Sequence, residues 1–441
     1  MKLSRRDRFL KNLAELATRL LYRRIHVHQK FQATAGGPQL GVANHFGGFS
    51  DVLMLIHALD RVPRFMARDV IWRYPIAKQL MQFVRAIPVH KPEDSAAKGA
   101  ARNDQMFAST YTALAGDDLV VIFPEGITVD DPAIAPIKTG AARIALGGRA
   151  SGIEGIQIVP SGIHYEDKAV LRSKVYVHVG DPIRLDDWVA EHTEPGESQD
   201  SSNRELVREL TAVIEFSLRR AAPNFEDWHE ARTLGKAAAV ALRTPAGASP
   251  DVDYAEKSAL ADELARGSDG EKTRITAAVD TYFADLEAAG LTDFQMMSRQ
   301  RSRRSFLWRI SWNAVLGLLL LPFAIIGFVI NVIPMTLTWL VGKARVDPAM
   351  MATIKPGAAI VFFSITWAIA AWLGWQGAEP SGMAAVLLLM PLYVYALFAV
   401  VERGTLVVRA IMNRTRGWRG DPHEGMLEDR TAVVASVVEA L

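Results

Sequence analysis

The chain of 441 residues contains no cysteine. That absence excludes disulfides, thiol nucleophiles and cysteine-ligated zinc, and it agrees with a reducing compartment. Net charge is nearly missing as well: 50 Lys and Arg oppose 48 Asp and Glu, leaving +2. Bulk charge therefore argues neither for nucleic acid nor for an acidic substrate. The first residues hold no apolar core of a secretory signal and no cleavage-site pattern, so no signal peptide is expected there. Apolar residues are plentiful, at 50% of the chain, and they are unevenly placed.

The C-terminal third carries the apolar excess. Ile310–Gly342 has no charged residue in 33 positions, and Pro356–Ala378 and Pro380–Val401 are two further uncharged stretches. Each is long enough to span a bilayer at roughly 20 residues per helix. Arg299, Arg301, Arg303, Arg304 and Arg309 precede the first stretch, and Lys343, Arg345 and Lys355 follow it. Both flanks read as cytoplasmic by the positive-inside rule. A straight helix across Ile310–Gly342 would be about 50 Å long against a core of about 30 Å. With Pro322, Asn331 and Pro334 inside it, a helical hairpin over 310–342 is expected. Spans over 357–377 and 381–401 would follow, turning at an outer loop with no basic residue. Three spans is the rival arrangement, and it would put the basic tail outside. Trp308, Trp312, Trp339, Trp367, Trp372 and Trp375 suit interfacial anchors.

The remaining chain gives an amphipathic helix at 1–24, an α/β domain at 25–220, a helical connector at 221–304, the membrane region at 305–403 and a cytoplasmic tail at 404–441. Residues 2–24 hold eight Lys and Arg against two acids, so that helix suits either an anionic membrane surface or ordinary packing on the domain. Between 24 and 185 short apolar runs alternate with helical stretches, the pattern of a central mixed sheet flanked by helices. Strands are expected at Ile25–His28, Leu40–Ala43, Arg64–Ala67, Ala86–His90, Leu119–Phe123, Ile156–Ile163 and Val175–Val179. Helices are expected around Asp51–Leu59, Tyr74–Val84, Ala96–Ala115 and Gly140–Gly147. The Gly-Ser-Asp-Gly-Glu-Lys-Thr run at 267–273 lacks the ending and the preceding strand of a phosphate loop.

Chemistry concentrates in three places. An apolar strand delivers Asn44 and His45 to a turn containing Gly47 and Gly48, and Asp51 opens the next helix. A histidine and an aspartate six residues on can meet only across a sharp bend, which the glycine pair permits. The run Ile87-Pro88-Val89-His90-Lys91 leaves a strand and ends in a base. The run Phe123-Pro124-Glu125-Gly126-Ile127-Thr128 follows a buried strand, where an α/β sheet places its ligand site. Lys138 follows that loop and leads into a helix, where it is either anion-binding or simply solvated. His26 and His28 lie at strand spacing without a third ligand, and His229-Glu230 lacks the second histidine of a zinc-protease helix, so no metal is expected.

Taken together with Ile158-Val159-Pro160, these motifs resemble, in order and spacing, the phosphate/glycerolipid acyltransferase family of membrane enzymes. The resemblance covers roughly residues 20–220. Two departures stand out: five residues (Phe46–Ser50) separate His45 from Asp51 where four are common, and Lys91 stands where arginine is frequent. The resemblance implies an integral, multi-pass membrane protein with its catalytic domain on the cytoplasmic face. Its chemistry would be transfer of an acyl group from acyl-CoA or acyl carrier protein to glycerol-3-phosphate or lysophosphatidic acid. It implies His45 as general base with Asp51. Lys91 and the amides of Gly126–Thr128 would hold phosphate, Glu125 would bind the glycerol hydroxyl or brace its loop, and Phe123, Pro124 and Lys138 would complete the substrate side. No cofactor, metal or nucleic-acid partner is implied; the acyl thioester is a co-substrate.

Overall fold

A computed structural model of the chain describes residues 3–29, 36–89, 99–127, 131–167, 170, 172–194, 196–243, 252–289, 291–298, 303–343, 348–416 and 423–441. Two compact units result: Met1–Glu226 with Pro348–Thr353, and Asp227–Asp347 with Ile354–Leu441.

In the first unit, α1 (Arg5–Leu21) is capped by Ser4, whose hydroxyl accepts from the Asp7 N–H at 3.1 Å. Tyr22 adopts extended angles, so the helix passes straight into β1 (Tyr22–Gln29). There follow β2 (Gln39–Ala43), α2 (Phe49–Ala58), β3 (Arg64–Arg68), a 3-10 turn at Asp69–Arg73, α3 (Pro75–Phe83), β4 (Ile87–Val89), α4 (Gly99–Ala115) and β5 (Leu119–Ile122). Next come α5 (Gly140–Ala150), β6 (Gln157–Tyr165), β7 (Ser173–Val179), β8 (Ile183–Arg184), α6 (Leu185–His192) and α7 (Arg204–Ala221).

The strands form one mixed sheet in the order β1-β7-β6-β2-β5-β3-β4, with β8 on β6. β6, β2, β5, β3 and β4 run parallel, whereas β6 meets β7 and β8 antiparallel. The central strands are buried on both faces, and alternate residues feed two cores. Leu40, Val42, Val120 and Ile158 pack against Ile144, Leu146, Leu210 and Ile214 on the side of α5 and α7. Ala43, Val121 and Val159 pack against Met54, Leu55 and Leu10 on the side of α1 and α2. Thus α1 buries Leu10, Ala14 and Leu21 on the domain, while Phe9, Leu13 and Leu16 stay exposed. Packing and an outward apolar ridge coexist on one helix. The short β8 and the 3-10 turn carry too few residues to show a period, and the sequence reading missed both.

The second unit begins with α8 (Trp228–Leu242), α9 (Tyr254–Ala265), α10 (Asp269–Ala288) and α11 (Asp293–Ser298). The glycine-rich run at 267–273 is the start of α10, where Ser268 and Glu271 form a capping box. Then come α12 (Arg303–Val341), α13 (Pro348–Arg416) and α14 (His423–Glu439). The tail is not an extension into solvent: α14 returns onto the connector helices. Arg430 donates to Asp293 Oδ1 at 2.9 Å and to the carbonyls of Val240 and Arg243 at 2.7 Å, and Asp293 also takes the Tyr282 hydroxyl and pairs with Arg243.

The stretch expected as a hairpin over 310–342 is helical throughout, as far as Val341. α12 is one helix of 39 residues with Pro322 and Pro334 inside it. A proline removes one hydrogen bond and kinks a helix, but apolar neighbours on both sides can carry the helix through it. α13 does break, at Ala378 and Glu379, where Glu379 has φ 51°. The uncharged stretches on its two sides therefore form separate helical arms. Asn331 accepts from the Trp367 indole N–H at 2.9 Å, tying α12 to the first arm. Arg403 donates to Asn313 at 3.2 Å, and the rings of Phe323 and Tyr393 lie 6.5 Å apart. Moving up α12 from Asn313 to Phe323 thus moves back along α13 from Arg403 to Tyr393. The two helices run antiparallel, and Gly327 lets the backbone at Tyr393 approach.

Candidate active site

The site lies at the C-terminal ends of β2 and β5. Asn44, fully buried, closes β2 by pairing with the β6 backbone: its side-chain amide donates to the Ile163 carbonyl at 3.1 Å and its oxygen accepts from the Ile163 N–H at 2.7 Å. The chain then turns through Gly47 and Gly48, the latter at φ 57° and ψ −120°, and α2 starts at once. The turn is tight enough that Asp51 reaches back to His45: Nδ1 and the Asp51 carboxylate lie 2.9 Å apart. With Nδ1–H donated to Asp51, the neutral imidazole presents Nε2 as its basic nitrogen. The His45 side chain keeps 21% of its surface exposed while that of Asp51 keeps none.

A fully buried carboxylate needs several donors. Asp51 has them: the Gly47 N–H bridges both oxygens at 2.9 and 3.1 Å, and the Tyr165 hydroxyl donates to Oδ1 at 2.7 Å. Gly47 could not be another residue without movement, because a Cβ there would stand 2.7 Å from Asp51 Oδ1 and 2.8 Å from the Tyr165 hydroxyl.

The loop after β5 braces the histidine turn. Glu125 is buried, and its two oxygens are occupied: Oε1 accepts from the His45 N–H at 2.8 Å and Oε2 from the Ala135 N–H at 2.9 Å. Burial pushes its carboxyl above the ordinary value, while those two backbone donors pull it down. These two contacts tie the Glu125 loop to the His45 turn and to Ala135. Phe123, expected on the substrate side, stacks on His45 with centroids 4.1 Å apart. It holds the ring from one face. Pro124 accepts from the Lys138 N–H at 2.9 Å, and the Lys138 ammonium lies over Gly126, 2.8 Å from where a Cβ would be. Gly126 has φ +68°, a conformation that glycine adopts freely. Lys138 is thereby brought to the loop as a cation beside the histidine turn. Lys91 and Thr128 lie outside the described residues.

Tyr165, Tyr22, Ser50 and Ala135 were not legible as site residues. Tyr165 lies 114 positions from Asp51, in a strand with no local signal of chemistry. His26, His28 and His178 sit towards the β1 edge of the sheet, and His28 and His178 pack edge to face at 5.3 Å. Among the described residues no group of three or more His, Asp or Glu is placed to hold a metal ion.

Comparison with known proteins agrees with this geometry. Residues 24–164 match the family model described as Acyltransferase. The chain is 29% identical over 208 residues to glycerol-3-phosphate O-acyltransferase 2 of Saccharomyces cerevisiae, covering 46% of this chain and 26% of that protein. It is 32% identical over 135 residues to glycerol-3-phosphate O-acyltransferase 1 of the same yeast, covering 30% of this chain and 17% of that one. The chain thus spans about a quarter or less of these two relatives. A solved structure, the 1-acyl-sn-glycerophosphate acyltransferase PlsC from Thermotoga maritima, aligns with TM-score 0.33 and 15% identity over 47% of this chain and 80% of that one. The family match spans the strand that ends in His45, the turn to Asp51 and the Glu125 loop, so this part of the first unit is similar to the acyltransferase family.

Proposed function

We propose that the protein is a membrane-bound glycerolipid O-acyltransferase that moves a fatty acyl group from acyl-CoA or acyl carrier protein to glycerol-3-phosphate or lysophosphatidic acid. The observation that carries this reading is the 2.9 Å contact between a partly exposed His45 and a fully buried Asp51. Nε2 takes the proton from the acceptor hydroxyl, and the resulting alkoxide attacks the thioester carbonyl. The tetrahedral intermediate then expels the thiolate, which recovers a proton. A thioester is already activated, and the chain has no cysteine to form an acyl-enzyme, so direct transfer supported by positioning suffices. Lys138 supplies a positive charge for the acceptor's phosphate, as a point charge rather than a bidentate fork. Lys91 and the amides around Gly126 are proposed to share that task.

The apolar helices suit an integral membrane protein: the windows in α12 and α13 have mean hydropathy 2.6 and 2.4. Because α12 and the second arm of α13 run antiparallel, the chain enters and leaves the apolar region at one end, proposed to be the cytoplasmic one. The catalytic domain on that face would meet a donor with a soluble head and a greasy tail at the interface.

The test is acylation of glycerol-3-phosphate and of lysophosphatidic acid, side by side, by the full chain in membranes with each thioester donor. Transfer to one or both acceptors is expected, and His45→Ala should lower it by about 10²–10⁴-fold with membrane insertion intact. Full activity in that variant would overturn the general-base role. Transfer only to another lipid would overturn the acceptor assignment.

A further inference from the structure

Three donors surround Asp51, and they do not act alike. The Gly47 N–H is shared between both carboxylate oxygens, so it anchors the group without selecting which oxygen faces His45. Selection comes from the other two. His45 Nδ1 sits on Oδ2 at 2.9 Å, and Tyr165 sits on Oδ1 at 2.7 Å. An ionised carboxylate only accepts, so the single hydroxyl hydrogen of Tyr165 is spent on it. Behind Tyr165, the Tyr22 hydroxyl is in hydrogen-bond contact with both Tyr165 and Ser50, and the two tyrosine rings lie 6.0 Å apart. The result is a line of polar groups, Tyr22–Tyr165–Asp51–His45, running from the start of β1 through the end of β6 to the histidine turn. Burial and the neighbouring Asp51 charge raise the Tyr165 phenol well above its ordinary value, so it stays a donor across the working range.

The same geometry accounts for the five-residue spacing between His45 and Asp51. Gly47 leaves room beside Asp51 that a side chain would fill, and the Tyr165 ring and hydroxyl occupy it at 2.8 Å from the missing Cβ. The longer turn is closed from outside by a residue of β6.

We propose that Tyr165 is a positioning residue for the His45–Asp51 pair: its hydroxyl fixes the plane of the Asp51 carboxylate and thereby the orientation of the imidazole. The proposal rests on the acyl-transfer reading for its kinetic consequence, but its geometric content can be measured without turnover.

Tyr165→Phe removes the hydroxyl and keeps the ring. In the full chain in detergent, kcat for acyl transfer should fall about 10–100-fold while KM for donor and acceptor stays within about twofold, as a loss confined to the transition state requires. A double-mutant cycle separates positioning from general support. In a His45→Ala background, Tyr165→Phe should leave the residual rate unchanged. An equal fold-loss in both backgrounds would overturn the proposal, and so would a wild-type kcat in Tyr165→Phe. Proton NMR of the same samples reads the geometry directly. The downfield imidazole Nδ1–H signal, absent in His45→Ala, should shift or broaden in Tyr165→Phe. An unchanged signal would overturn the proposal even if the wild-type protein proved inactive on every acceptor, and inactivity with a shifted signal would overturn only the acyl-transfer reading. If Tyr165→Phe does not fold, Tyr22→Phe tests the same line one hydrogen bond further out. It should give a smaller kcat loss that also vanishes in the His45→Ala background, and a loss that persists there would overturn the proposal.

Discussion

Gly47 and Tyr165 touch where no side chain could intervene: a Cβ on Gly47 would lie 2.8 Å from the tyrosine ring and hydroxyl. Gly47→Ala must therefore push Tyr165 or Asp51 aside. We expect acyl transfer to fall by about two orders of magnitude or more, with a stability loss of about 1–3 kcal/mol from overpacking. Kinetics and thermal denaturation of the full chain measure both. Retained activity would show that the His45–Asp51 contact tolerates a displaced tyrosine.

Glu125→Gln distinguishes a brace from a substrate ligand. The glutamate accepts from two backbone N–H groups, whereas glutamine offers one oxygen and turns its NH2 towards the other donor. A buried donor left unpaired costs about 1–3 kcal/mol, so the melting temperature should drop together with kcat. A rise in the acceptor KM at unchanged melting temperature would instead put Glu125 on the substrate.

Lys138 is the described cation at the loop, its ammonium curled over Gly126. Lys138→Met should raise KM for a phosphate-bearing acceptor by about tenfold, with kcat changed little, as the loss of one point charge predicts. The difference should narrow as salt is added. An unchanged KM would mean that the lysine is only solvated.

His164 makes a prediction about pH. It is buried, its Nε2–H donates to the Ala221 carbonyl at 2.8 Å, and burial lowers its imidazole from 6.5 to about 4, with His178 acting in the same direction. Between those values the unfolded chain binds the proton and the folded chain does not, so stability rises with pH there. The contribution, about 3 kcal/mol, is fully present above about pH 6.5 and is lost as pH falls towards 4. Denaturation midpoints across pH 4–7 should therefore slope less in His164→Gln, which does not titrate. An equal slope in the two proteins would assign the acid sensitivity elsewhere.

The membrane arrangement can be probed cleanly because the chain has no cysteine. Single cysteines at Leu307, Lys343 and Thr405 should label from the cytoplasmic side, and one at Glu379 from the opposite side. Labelling of Lys343→Cys and Leu307→Cys from opposite faces would overturn the hairpin over 310–342.

Local patterns made most of the first unit readable in the sequence. Buried strands such as Leu40–Ala43 and Leu119–Ile122 are continuous apolar runs, and helices such as Gly140–Ala150 follow them at a different period. The calls that missed are those decided by distance along the chain. Pro322 and Pro334 suggested a break within Ile310–Gly342, yet α12 continues through both. The turn expected between 377 and 381 does fall there, at Ala378 and Glu379 in α13. Nothing in the tail's own residues reveals that Arg430 will meet Asp293.

The candidate site divides along the same line. His45, Asp51 and the glycine pair are neighbours in sequence, and their residue types alone suggested a base, an acid and a bend between them. What remained hidden were the partners supplied by other strands: Tyr165 and Ile163 from β6, and Ala135 beyond the Glu125 loop. Short-range geometry follows from backbone freedom and spacing, which a sequence displays. The satisfaction of a buried carboxylate depends on which distant segments the sheet order brings alongside it, and only folding sets that order.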